Sequence, residues 1–159
     1  MLGVRPEIFD MSHLQSVREF MDTYVHTIHG DMDILAAVDF LLANRVTSAP
    51  VVNEAYELVG ILSEKDCLRI LSKGVECGRP HGVVADFMTR DVTSIPPTMD
   101  IYYVAGLFLN NFFRRLPVVE DGKLIGAITR FDILRVIQGN LSGERASHQP
   151  PVVRSQHSA

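Results

Sequence analysis

The stretch "LVGILSEKD" (residues 58–66) returns as "LIGAITRFD" (residues 124–132) in a chain of 159 residues. Each copy sets an apolar pair, a glycine, two apolar residues, a hydroxyl residue and, three positions on, an aspartate. Working outward, "EFM" (19–21) matches "DFM" (86–88), "VHTIHGDMDI" (25–34) matches "VTSIPPTMDI" (92–101), and "SAPVV" (48–52) matches "RLPVV" (115–119), all 67 positions apart. From Gly60 to Gly126 and from Asp66 to Asp132 the offset is 66, so one residue is missing where "NEAYE" faces "EDGK". That place reads as a turn, which tolerates a change of length. An in-register repeat across several apolar runs marks an internal duplication.

Both halves have the same periodicity. A short amphipathic helix (Leu14, Val17, Met21) leads into a strand at "YVHTI". Asp31 or Asp33 then caps a helix with Ile34, Val38, Leu41 and Leu42 on one face, and Thr98 or Asp100 caps its counterpart with Ile101, Val104, Leu107 and Phe108. "APVV" and "LVGIL" are β-branched strands separated by a turn at Asn53, or at Asp121-Gly122 in the second half. Asp66 and Asp132 open the last helices. The predicted fold is α/β, two pseudo-symmetric repeats of strand, helix, strand, strand, helix. The boundaries are an N-terminal extension (1–15), a first repeat (16–74), a glycine-rich linker (75–82), a second repeat (83–140) and a disordered tail (141–159), where periodicity fades after Gly139.

A chain of this length makes two small halves that must share their burial to be stable. The formal charge of −4 and pI near 5.8 offer no basic face for a nucleic-acid backbone. Cys67 and Cys77 form neither a CxxC pair nor a zinc pattern, which fits a reducing cytoplasm. No long apolar run or basic-then-apolar leader is present, so a cytoplasmic protein without a signal peptide or membrane span is expected.

An aspartate at a helix start is a good N-cap, worth about 1 kcal/mol. Paired with a hydroxyl three residues earlier at a strand end, it also suits a ribose diol, with nearby helix-start N–H groups favouring an anion. Both readings stand for Ser63/Asp66 and Thr129/Asp132. Gly60 and Gly126 fit a place of close backbone approach, or of strand packed on helix.

Two copies of a unit about sixty residues long, each ending in Gly-apolar-apolar-[Ser/Thr]-x-x-Asp behind a Pro-Val-Val strand, resemble a tandem pair of CBS domains, or Bateman module. The resemblance covers residues 16 to 140, and "FFRRLPVVEDGKLIGAITRFDILRVI" carries most of it. It implies an α/β sandwich of two halves with two clefts between them. It also implies adenosine-type ligands: AMP, ADP or ATP, with S-adenosylmethionine or NAD as further possibilities. Separately, no cofactor or metal is expected.

By this resemblance Asp66 and Asp132 hold ribose hydroxyls and Ser63 and Thr129 contact ribose or phosphate. Ser48, Ala49 and Pro50, with Arg115, Leu116 and Pro117, line the ligand, and Thr27-Ile28 and Ser94-Ile95 meet the base. The second half also carries Arg114, Arg115 and Arg130 against Lys65 alone in the first, so phosphate is expected beside the second half.

His26 and His29 form H-x-x-H, but a spacing of three on a strand sends the rings to opposite faces. Cys67, near a helix start, could have a lowered pKa or be a packed thiol. Phe112-Phe113 could stack on a base or pack at a helix end. No nucleophile and base converge. The expectation is a non-enzymatic regulatory sensor that binds adenine nucleotide, forms a homodimer and signals to an effector protein. The alternative is a dimerising scaffold that binds nothing. A small enzyme or metal protein using His26, His29 or Cys67 comes third.

Overall fold

Aspartate caps begin the long helix of each half in the computed structural model, which describes residues 15–74 and 81–145. Asp33 accepts from the N–H groups of Leu35 and Ala36 at 3.0 and 3.1 Å, starting α2 (Ile34–Asn44). Asp100 does the same for Tyr102 and Tyr103 at 2.8 and 3.3 Å, starting α5 (Ile101–Asn110). Asp33 and Asp100 are thus the caps, rather than Asp31 and Thr98. Both satisfy N–H groups that a helix start leaves without partners.

The remaining elements are α1 (Val17–Phe20), β1 (Ile28–His29), β2 (Ser48–Val52), β3 (Leu58–Ser63), α3 (Glu64–Gly74), α4 (Val84–Phe87), β4 (Arg115–Glu120), β5 (Lys123–Thr129) and α6 (Arg130–Arg145). β2 and β3 are antiparallel, as are β4 and β5, and β1 adds a parallel edge to β2. The second hairpin turns on Asp121 and Gly122, with φ of 51° and 79°, the pair of positive angles a two-residue turn of matching twist requires. Both hairpins shift register at the same point, Val51/Val52 and Val118/Val119.

The strand expected at "YVHTI" is shorter and later than its sequence suggests. The Tyr24 N–H goes to the Asp22 side chain at 2.9 Å, a local Asx turn that competes with a ladder. In the second half only a single bridge survives, Ile95 to Val118; Pro96 and Pro97 follow and have no N–H to extend it. α6 runs to Arg145, five residues into the segment assigned to a disordered tail. The N-terminal extension up to residue 14, linker residues 75–80 and the tail from 146 lie outside the described residues.

Each half donates its opening segment to the other. Val17 is fully buried among Ile95, Ile101, Val104, Leu116 and Ile128 of the second half, while Val84 and Phe87 join Ile28, Ile34, Val51 and Leu62 of the first. The Val17 N–H donates to Met99 O at 2.9 Å and the Val84 N–H to Met32 O at 2.9 Å. Asp22 and Ala127 exchange two backbone hydrogen bonds at 2.9 Å, as do Thr89 and Ile61. The repeated glycines permit this crossing. A Cβ on Gly126 would meet Asp22 O at 2.8 Å, and one on Gly60 would meet Met88 Sδ at 2.6 Å and Thr89 O at 3.0 Å.

Candidate functional site

β3 runs directly into α3, and β5 into α6, so Ser63 and Thr129 stand at the N-cap and Asp66 and Asp132 at the third helical position. The aspartates are therefore not N-caps but the reciprocal partners of a capping box. Asp132 Oδ2 accepts from the Thr129 N–H at 2.8 Å and the Thr129 hydroxyl at 2.7 Å, while the Asp132 N–H donates back to Thr129 Oγ1 at 3.3 Å. Asp66 and Ser63 repeat this at 2.9, 2.6 and 3.2 Å. Both aspartates are buried, with 4% and 5% of their surface exposed. A carboxylate so enclosed needs partners for both oxygens.

The halves differ at the other oxygen. Asp66 Oδ1 accepts from Arg69 at 2.6 Å and from the Thr89 hydroxyl at 3.4 Å. Asp132 Oδ1 accepts from Arg135 at 3.4 Å. The position matching Thr89 is Asp22, whose carboxylate is engaged with the Tyr24 N–H.

Beside Asp132 lies a cavity of about 470 Å³. Thr129, Asp132 and Arg135 line it from the strand-to-helix junction, Arg115 from β4, and Met21, Asp22 and Thr23 from the crossing segment. Arg115 sits directly across the ladder from Thr129; in the first half Ser48 faces Ser63. Two guanidinium groups and two carboxylates thus surround one opening, with Arg135 also lying 5.4 Å over the Phe131 ring, a cation–π distance.

Of the residues singled out in the sequence, Arg115, Thr129 and Asp132 come together here. Arg114 instead pairs with Glu64 at 3.1 Å. Arg130 reaches Asn111 O at 3.4 Å and lines a separate apolar groove of about 570 Å³ between α5 and α6. Ile28, Ala49, Ile95 and Leu116 are core side chains, and Pro50 and Pro117 are buried with them. Thr27 and Ser48 are part-buried and Ser94 is exposed. Asp22, Thr23 and Arg135 were missed. Arg135 had a signal, because "DCLR" and "DILR" repeat an arginine one turn after each aspartate.

His26 sits edge-on to Tyr24 and Phe40, whereas His29 lines a different cavity, of about 780 Å³, with Asn53 and Arg90. The described residues contain no group of three or more His, Cys, Asp or Glu side chains placed to hold a metal ion. No described helix is long and apolar enough to cross a membrane. The Cys67 thiol has its pKa raised, first by burial and then by the Asp66 carboxylate, opposite to the lowering a helix start can produce.

The family model described as "CBS domain" matches residues 17–73 and 84–139. The protein MJ1225 of Methanocaldococcus jannaschii is 35% identical over 123 residues, covering 77% of this chain and 43% of that protein. This chain therefore spans less than half the length of that relative. The crystal structure of CBSX2 in complex with AMP, a protein of Arabidopsis thaliana, superposes with a TM-score of 0.68 at 32% identity, over 78% of this chain and 96% of that one. The crystal structure of AcuB from Vibrio cholerae gives a TM-score of 0.72 at 25% identity, over 87% and 100% of the two chains.

Proposed function

Because the chain belongs to the CBS-domain family and carries two repeats, we propose that it is a regulatory module binding an adenosine-containing ligand, AMP, ADP or ATP, in the cleft beside Asp132. The observation that carries this reading is the buried Asp132 carboxylate. Its Oδ2 is fixed by Thr129 and its Oδ1 is held by one exposed arginine at 3.4 Å, beside a cavity that Arg115 also lines. A carboxylate oxygen accepts well from a ribose diol, and arginine forks suit phosphate oxygens. The AMP complex of CBSX2 supports the same ligand class. In the first half, the Arg69 and Thr89 contacts on Asp66 and Ser48 in place of Arg115 favour a weaker or unused site.

In this reading the protein acts by binding rather than by catalysis. Binding between the interleaved halves biases their arrangement and passes a population shift to an effector protein. It also self-associates: Leu109, Phe112 and Ile137, lining the α5/α6 groove, are 86%, 101% and 50% exposed, and Leu42, Leu68 and Leu71 on α2 and α3 are 71%, 63% and 69% exposed. Apolar exposure on this scale commonly marks an interface. A cytoplasmic location fits the free Cys67 thiol and an adenine-nucleotide ligand.

Titration calorimetry with AMP, ADP, ATP, S-adenosylmethionine and NAD tests the proposal. Micromolar binding of an adenine nucleotide supports it. Silence across the panel, with a dimer in sedimentation, would leave the scaffold reading, which the exposed apolar faces independently favour.

A further inference from the structure

We infer that Arg135 is the selectivity residue of the second cleft, coupling recognition of the ribose diol to recognition of a 5′-phosphate; this rests on the ligand reading above. Arg135 and an incoming diol compete for Asp132 Oδ1: Oδ2 already accepts from the Thr129 N–H and hydroxyl at 2.8 and 2.7 Å, so a diol donating both hydroxyls needs both acceptor positions of Oδ1, one of which Arg135 holds. A neutral nucleoside that takes Oδ1 strips a guanidinium from a buried carboxylate and gives it nothing in return. A phosphorylated nucleoside brings an anion to which the guanidinium can turn, so the charge-assisted bond is exchanged instead of lost.

Three features fit Arg135 for this exchange. Its side chain is 65% exposed and its bond to Asp132 is long, at 3.4 Å, so release is easy. It lines the same cavity as Arg115, so a phosphate there meets two guanidinium groups. The Phe131 ring 5.4 Å away gives the guanidinium a second contact as it turns. In the first half the arginine is also exposed, at 55%, but Arg69 grips Asp66 at 2.6 Å, the Thr89 hydroxyl adds a bond at 3.4 Å, and Ser48 stands where Arg115 would be.

The test compares adenosine and AMP by calorimetry on the full chain, as wild type, Arg135→Ala and Arg135→Lys. The wild type is expected to prefer AMP by about tenfold or more. Arg135→Ala is expected to weaken AMP by about tenfold while tightening adenosine by roughly two- to tenfold, because the competitor is gone. Arg135→Lys, which keeps the charge but not the fork, falls between. The opposite signs are the diagnostic, since a purely structural role would move both ligands the same way. Equal weakening, equal tightening, or a wild type indifferent to the phosphate would each overturn the inference. If the wild type binds neither adenosine nor any nucleotide, the ligand reading itself fails and takes this inference with it.

Discussion

Replacing Gly126 with alanine tests the interleaving of the two halves. The new Cβ would stand 2.8 Å from Asp22 O and 2.9 Å from Met21 Sδ. The sulfur can rotate away, but the carbonyl is backbone, fixed by two 2.9 Å hydrogen bonds between Asp22 and Ala127. Relief therefore requires the crossing segment to lift and the bridge to stretch. Overpacking of this kind costs about 1–3 kcal/mol, and a weakened pair of backbone bonds adds about 1 kcal/mol. A total of about 2–4 kcal/mol lowers the midpoint of thermal unfolding by roughly 6–12 °C in a chain of this size. Gly60→Ala is the internal comparison. Its nearest obstacle is the movable Met88 Sδ at 2.6 Å, with Thr89 O further off at 3.0 Å, so its cost is smaller, about 1–2 kcal/mol. Circular dichroism melts of both variants decide the matter. A Gly126→Ala variant as stable as wild type, or more stable than Gly60→Ala, would refute the crossing geometry.

Gly139 lies exposed in α6 with nothing within 4 Å of an added Cβ, so Gly139→Ala is expected to stabilise the chain by about 0.5–1 kcal/mol in urea titration. Cys67 has its thiol pKa raised above the ordinary 9.0, so the thiolate is scarcer than in a free cysteine. In a Cys77→Ser background its alkylation by iodoacetamide at pH 7.5 should be slower than that of free cysteine and speed up on denaturation. The sign for stability follows: a raised thiol pKa costs nothing below pH 9.0 and destabilises the fold as the pH climbs beyond it. Leu109→Glu, on an 86% exposed position, should shift sedimentation toward monomer by at least about tenfold in dissociation constant.

Most of the architecture was legible because the duplication printed every element twice. A weak signal in one half, such as the cap at Asp33, could be checked against Asp100 in the other. The exchange of α1 and α4 was not legible. Periodicity shows that Val17 and Val84 are buried but not in which half, and both assignments satisfy the same pattern. Gly60 and Gly126 held the clue, since each repeats with the "FM" segment that ends up crossing it from the other half. The collapse of the first strands to Ile28–His29 and to a bridge at Ile95 turned on local competition from Asp22 and Pro96, which outweighs β propensity.

Thr129, Asp132 and Arg115 line one cavity, and their grouping was legible because the hydroxyl and carboxylate lie three apart at a strand-to-helix junction while Arg115 opens the neighbouring strand, opposite Thr129 in the ladder. Arg114 and Arg130 carry the same chemistry, yet one turns to Glu64 and the other to Asn111 O. The direction of a long side chain depends on neighbours distant in sequence. Asp22 and Thr23 entered the cleft through the exchange of segments, for which the sequence offered only the paired glycines.

The central claim is that one adenosine-type ligand sits beside Asp132, and the stoichiometry of AMP binding measures it most directly. Calorimetry of the wild type, Asp132→Asn and Asp66→Asn should give about one AMP per chain, binding abolished by the Asp132 change and little altered by the Asp66 change. Binding that survives Asp132→Asn in a folded protein, or that disappears with Asp66→Asn instead, would contradict the account.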